Sequence, residues 1–324
     1  MATTTNGDGT TQPPPTIAEH DKLGPLGGKT AVFDNETELR RALVAEFSAA
    51  AEAARDASAA VDRDVDAAVH DYRKALRRCR AVLTMVTRSL PRSERRAIKK
   101  ALQEARRAVG VARDHAVAPE TVGALPLGEE ERTLANAVLE AAAEAMPARE
   151  EIKQLLGEGA ARALAQVEAL EAALPPSVTW PSVVKGVRTT FDDARVARKA
   201  AKRSKRQFHR WRRRSKELVY QLDVIAGFAG LHTSELQREI EGVTEAQSPV
   251  VDLIMLRDFV ETHGTRGEPL DHLLAAIDGQ LEDLMKDARR AGKDAFRRKP
   301  RKFGRRLEKA VARDLAPAPT DDLS

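Results

Sequence analysis

Within residues 69–86, VHDYRKALRRCRAVLTMV, apolar side chains stand at Val69, Tyr72, Leu76, Cys79, Leu83 and Val86, three or four positions apart. Only a helix brings that spacing onto one side. The opposite side carries His70, Arg73, Lys74, Arg77, Arg78 and Arg80. A second segment repeats the arrangement: Phe208, Trp211, Ser215, Leu218, Leu222 and Ile225 form a mainly apolar side, with His209, Arg212, Arg213 and Lys216 across from it. Arg198, Lys202, Lys205 and Arg206 prolong this basic stripe backwards. On one continuous helix from Arg198 to Lys216 it would run about 27 Å at 1.5 Å per residue. Such a chain must bury two helical faces and accommodate two columns of like charge.

Composition agrees with helices packed through small and aliphatic side chains. Aromatic residues make up 4% of the 324 and charged residues 32%, alanine is abundant, and no stretch alternates apolar with polar residues as a strand would. An all-α fold is expected. The net charge of +5 conceals a strong segregation. Residues 70–114 carry 14 Lys/Arg against 4 Asp/Glu, residues 188–216 carry 13 against 2, and residues 286–313 carry 13 against 3. Ordinary solvated helix faces mix signs to form i,i+4 pairs, so sustained charge of one sign points to a concentrated positive surface or cavity. The lone cysteine excludes an internal disulfide and a cysteine-based zinc site, and its place beside Tyr72 and Leu76 makes it a core residue.

Punctuation along the chain predicts its organisation. Residues 1–33, rich in Thr, Gly and Pro, are expected to be a disordered tail. LGPLGGKT at 23–30 misses phosphate-loop spacing, because Leu23 stands where the first glycine is needed and no strand precedes it. Helices are expected over about 35–58, 62–89 (stopped by Pro91), 92–113, 129–145 and 148–173. The run PPSVTWPS at 175–182 is the best internal boundary. It separates an N-terminal half, 34–174, from a C-terminal half, 183–313, ahead of a flexible tail at 314–324. The second half predicts one very long basic helix at about 187–226, short helices near 233–241 and 249–262, and a last helix over 269–313 that Pro300 kinks or interrupts. The N-terminus lacks a basic n-region and an apolar h-region, and no apolar run approaches the roughly 18 residues of a membrane span, so a cytoplasmic location without membrane association is expected.

The two basic segments share the form apolar-His-x-x-Arg-x-x-x-(Arg/Lys) at an offset of 139 residues, and a duplicated unit explains this economically. In a pseudo-symmetric duplicate the stripes would face each other across a shared groove. The first stripe, His70, Arg73, Arg77, Arg78 and Arg80, resembles the first signature of the CHAD domain, the conserved histidine α-helical domain. GVARDHAV at 110–117 is similar to that family's Gly-x-x-Arg-Asp-x-Asp-Val element through Gly110, Arg113, Asp114 and Val117, with Ala116 in place of the second Asp. FHRWRRRSKELVY resembles the second signature through His209, Arg212, Lys216 and Tyr220, and departs from it at Glu217 and Val219, where basic residues are usual. The second half's counterpart of the Arg-Asp element is poor, since Thr244, Glu245 and Ala246 follow Gly242. The resemblance spans about residues 34–313. It implies two helical bundles related by a pseudo-twofold axis around a basic central cavity that binds inorganic polyphosphate, association with polyphosphate granules, and no catalysis or cofactor of the domain itself.

The chemistry of the ligand agrees with this. A base-free polyanion needs many cations in line, with arginine offering bidentate hydrogen bonds to phosphate oxygens. Single-stranded nucleic acid asks in addition for aromatic stacking platforms. Tyr72, Phe208 and Trp211 fall on the apolar sides, which favours polyphosphate, although duplex backbones held by charge alone stay a second reading. A third is a polyphosphate phosphohydrolase using Asp114 and the histidines; no His/Asp set with metal-ligand spacing accompanies His70 and Asp71. Each histidine sits at the seam between the two sides, where it would touch phosphate or bond a neighbouring helix. Arg113, beside Asp114, is counted with the cationic set. Lys286, Arg290, Lys293 and Arg297 share one face and would form either a third wall or a solvated surface.

Overall fold

The computed structural model describes residues 36–110, 119, 121–125, 127–143, 147–202 and 204–314, and among them it contains helices and no strand. The first half provides α1 (Glu36–Ala59), α2 (Val65–Met85), α3 (Arg92–Ala108), α4 (Glu129–Ala143) and α5 (Arg149–Ala173). The second provides α6 (Trp180–Ala200), α7 (Lys205–Phe228), α8 (Leu231–His263), α9 (Glu268–Ala295) and α10 (Pro300–Asp314). The segment proposed as a disordered tail, the LGPLGGKT run, Arg113 with Asp114, and residues 315–324 lie outside the described residues. Among the described residues no helix is long and apolar enough to cross a membrane.

Local chemistry sets the helix ends. Asp64, in extended conformation, accepts a hydrogen bond from the Ala67 amide (3.0 Å) and starts α2. Thr179 caps α6 through the Ser182 amide (3.4 Å), with Pro181 in the first turn, where its missing N–H costs nothing. Two expectations are corrected and a third is met. The long basic helix is two helices, because Ser204 leaves helical geometry (φ −168°) and caps α7 through the Gln207 amide at 3.3 Å. The stripe from Arg198 to Lys216 is therefore not one straight column. Conversely, the two short helices after residue 231 are one, α8, which continues through Pro249 because Val250, Leu253 and Ile254 beyond it are buried in the core. The last long helix is interrupted, one of the two outcomes expected of Pro300: α9 ends at Ala295, and Pro300 opens α10.

The packing order of the first half recurs in the second. α1 lies on α2 and α5, and α3 on α5; α6 lies on α7 and α10, and α8 on α10. α2 and α7, the helices of the two basic segments, pack against each other, and one continuous apolar core runs through both halves. Three glycines bring helices close. A Cβ at Gly159 of α5 would strike the Tyr72 hydroxyl, one at Gly186 of α6 the Met85 carbonyl of α2, and one at Gly292 of α9 the Trp211 ring at 2.5 Å. Phe208 and Trp211 are fully buried and meet edge to face at 5.3 Å, as the apolar periodicity predicted. Cys79 is also fully buried, its Sγ 3.7 Å from the Phe47 carbonyl oxygen, and burial pushes its thiol up to about 12.

Candidate anion site

Where α2, α3, α7 and α8 converge they enclose a cavity of about 260 Å³. α2 contributes Arg73, Leu76, Arg77 and Arg80, and α3 contributes Lys99, Leu102, Gln103 and Arg106. α7 contributes His209, Arg212, Arg213, Lys216, Glu217 and Tyr220, and α8 closes the floor with Val251 and Met255. Among the described residues, eight arginine and lysine side chains thus share the lining with one carboxylate, Glu217.

Rigid helices and specific bonds hold these cations in place. Arg77 donates from Nε to the Arg73 carbonyl (3.1 Å), and its guanidinium lies 5.8 Å from the centroid of the Tyr220 ring. Arg212 donates to Ser248 Oγ of α8 at 3.2 Å. Glu217, itself buried, accepts from Thr84 Oγ1 of α2 (2.7 Å) and from Arg214 Nη1 (2.7 Å), with Arg80 Nε at 3.8 Å. Arg214 also reaches Asp193 of α6 at 3.2 Å, so that acid–base chain ties α2, α6 and α7 together beside the cavity.

The crowding has an electrostatic signature. The Arg106 guanidinium is held below its ordinary range, by burial first and then by Arg80, Arg77, Arg213 and Arg107. Arg213 is lowered in the same way, by burial and then by Arg80, Arg214 and Arg210, with Glu217 opposing. Like charges confined in a medium less polar than water repel by several kcal/mol at close range, about 4 kcal/mol at 4 Å for an effective dielectric constant of 20. An anion placed among these guanidiniums would offset that repulsion.

Of the residues expected at the site, Arg73, Arg77, Arg80, His209, Arg212, Arg213 and Lys216 meet at this cavity. The others do not. Arg78, almost fully buried, turns to the far side of α2 and forms ion pairs with Asp223 of α7 and with Glu46 of α1 (2.8 Å). Lys74, one turn earlier on the same side, is buried and contributes to the potential at Asp223. His70 is half-buried and outside the lining, so the two histidines of the repeated pattern are placed differently. Lys205 bonds Asp278 of α9 (2.6 Å), a carboxylate shared with Arg257 (2.9 Å), while Lys202 and Arg206 are exposed. Arg290, Lys293 and Arg297 are exposed on and just beyond α9, so the C-terminal stripe is a solvated face and not a third wall. The third wall is α3. Its Lys99, Gln103 and Arg106, at i, i+4 and i+7, were missed because α3 is basic nearly all round; the signal was the buried stripe Ile98, Leu102 and Ala105 alongside them.

Comparison with known proteins agrees with this architecture. A crystal structure of the CHAD domain from the plant Ricinus communis superimposes with a TM-score of 0.56, covering 90% of this chain and 97% of that one at 17% sequence identity, a likeness of fold. No curated protein sequence matches the chain. The family model described as CHAD domain matches residues 42–261, which takes in α2, α3, α7 and the described part of the cavity they line. With that match over more than half its length, the chain belongs to the CHAD domain family.

Proposed function

We propose that this protein binds inorganic polyphosphate in the central cavity and does so without catalysing a reaction on it. The supporting observation is the lining itself: among the described residues, eight cations from three helices, opposed by one carboxylate and accompanied by one tyrosine ring, Tyr220. A chain of phosphates carries one charge per unit and offers oxygens on every side, which suits cations arrayed around a hollow. Single-stranded nucleic acid would need successive stacking rings, and Tyr220 is already covered by Arg77. Family membership adds weight, since a basic cavity that takes polyphosphate is what that resemblance implies. A cytoplasmic location, with recruitment to polyphosphate granules, follows as part of the same proposal.

Calorimetric competition between long-chain polyphosphate and duplex DNA or single-stranded RNA, at matched phosphate concentration and salt, tests the reading. Polyphosphate is expected to displace both; preference for either nucleic acid would overturn it. Incubation of the complex with added divalent metal is expected to release no orthophosphate, and sustained release would replace a binding module with a phosphohydrolase.

A further inference from the structure

A second basic hollow lies away from the central one, between α6 and α10. Its volume is about 220 Å³, and it is lined by Arg188, Arg301, Gly304, Arg305 and Glu308. None of the three guanidiniums is hydrogen-bonded or ion-paired to a described residue, and Glu308 is not engaged by any of them. The arrangement is specific to this end of the molecule. α1 and α5 pack in the first half as α6 and α10 pack in the second, and there Arg40 is neutralised by Glu171 at 3.7 Å and donates to the Leu174 carbonyl oxygen at 2.9 Å. On α10 the neighbouring Arg306 is likewise satisfied, by Glu239 of α8 at 2.6 Å. Gly304 lets α10 lie close to Arg188: a Cβ there would come within 3.3 Å of the Arg188 Cδ, so the stem of that arginine packs directly on the helix backbone.

We infer that this cleft is a second anion site, one that takes phosphate groups of a short or terminal phosphate segment through Arg188, Arg301 and Arg305. Three arginines that line one cleft without a carboxylate partner among the described residues offer fork-shaped donors that a tetrahedral phosphate can satisfy from more than one side. Glu308 also lines the cleft and opposes the charge of an anion held there, leaving the three guanidiniums in excess. The inference is independent of the central-cavity reading, because no residue is shared between the two linings.

Tripolyphosphate titrated calorimetrically into the full chain tests it, beside an Arg77→Glu/Lys216→Glu variant of the central cavity and an Arg301→Gln/Arg305→Gln variant of the cleft. Two binding equivalents are expected for the unaltered chain. The cleft variant is expected to weaken one of them about tenfold or more per lost charge-assisted bond and leave the other. Arg301 and Arg305 are exposed, so folding is expected to persist; Arg188→Gln, on the other wall, should weaken the same equivalent. A single equivalent abolished by the central variant and untouched by both cleft variants would sink the second site and spare the first. A single equivalent abolished only by the cleft variants would do the reverse, and no binding at all would remove both.

Discussion

Thr84 of α2 donates to Glu217 of α7 at 2.7 Å, and the other oxygen of that carboxylate accepts from Arg214 at the same distance. Glu217 stands where the family resemblance leads one to expect a base, and it lines a cavity otherwise walled by cations. It therefore has two opposing effects: it fastens α2 to α7, and it repels any phosphate that approaches Arg80.

Replacing Glu217 with Gln keeps a hydrogen-bond acceptor for Thr84 and removes the negative charge. Polyphosphate affinity is expected to rise about tenfold at low salt, the order of one Coulomb interaction across a partly solvated cavity, with the gain shrinking as salt is added. Stability is expected to fall by about 1–3 kcal/mol, the cost of weakening bonds to a buried charged group. Calorimetry at two ionic strengths and denaturant melts read the two effects separately. Weaker binding in a folded Gln variant would mean that Glu217 orders the site more than it opposes the ligand.

Arg106 separates binding from folding by sign. Its guanidinium is lowered by burial and by Arg80, Arg77, Arg213 and Arg107, so in the empty cavity the charge is unfavourable. Arg106→Gln is expected to raise the melting temperature of the free protein and to lower affinity for polyphosphate. Saturating ligand, worth about 2.7 kcal/mol at a hundred times its Kd, should consequently lift the melting temperature of the variant less than that of the parent. A structural arginine would show a fall in both.

Much of this was legible in the sequence. The spacing of Val69, Tyr72, Leu76 and Cys79 set the buried side of α2, and Arg73, Arg77 and Arg80, three or four apart opposite it, were bound to share a wall. Periodicity could not divide the polar side further. Arg78 differs from the cavity residues in facing Glu46 and Asp223, and Lys74 in lying near Asp223; those acids arrive from α1 and α7, distant in sequence. The break before α7 was written as Ser204, an ordinary N-cap, but it sits in a run of Lys and Arg whose continuous periodicity hid it. The gap expected between 241 and 249 is helical instead, because buried residues on both sides of Pro249 hold α8 together.

Arg78 supplies the contrast to the cavity arginines. It is buried between Glu46 and Asp223, and although burial alone disfavours its charge, those two carboxylates hold the guanidinium above its usual range. Arg78→Met would leave both acids without their cation. A loss of about 3–5 kcal/mol in denaturant unfolding is expected, the scale for breaking a buried ion pair by removing one partner. Polyphosphate affinity of the folded fraction should stay within about twofold, because Arg78 is outside the lining. A large drop in affinity at unchanged stability would return Arg78 to the binding set.

Asp314, at the end of α10, caps a different helix. Its carboxylate accepts from the His232 amide (2.9 Å), the Thr233 amide (3.1 Å) and the Thr233 hydroxyl (3.0 Å), across the entry to α8 where Gly230 adopts φ 135°. Burial favours the neutral acid, but hydrogen bonds from His232 and Thr233 outweigh it and hold the carboxyl below its ordinary value. A group whose pKa is depressed by folding stabilises the fold fully above its unfolded value, roughly 3.9, and loses that contribution as pH falls through the folded value. Asp314→Asn is therefore expected to lower stability by about 0.5–2 kcal/mol at neutral pH, the range for loss of a helix cap. The difference from the parent should narrow once the pH drops below about 4. Melting curves between neutral pH and pH 3 measure it; a constant difference across that window would show that the cap acts through shape and not through charge.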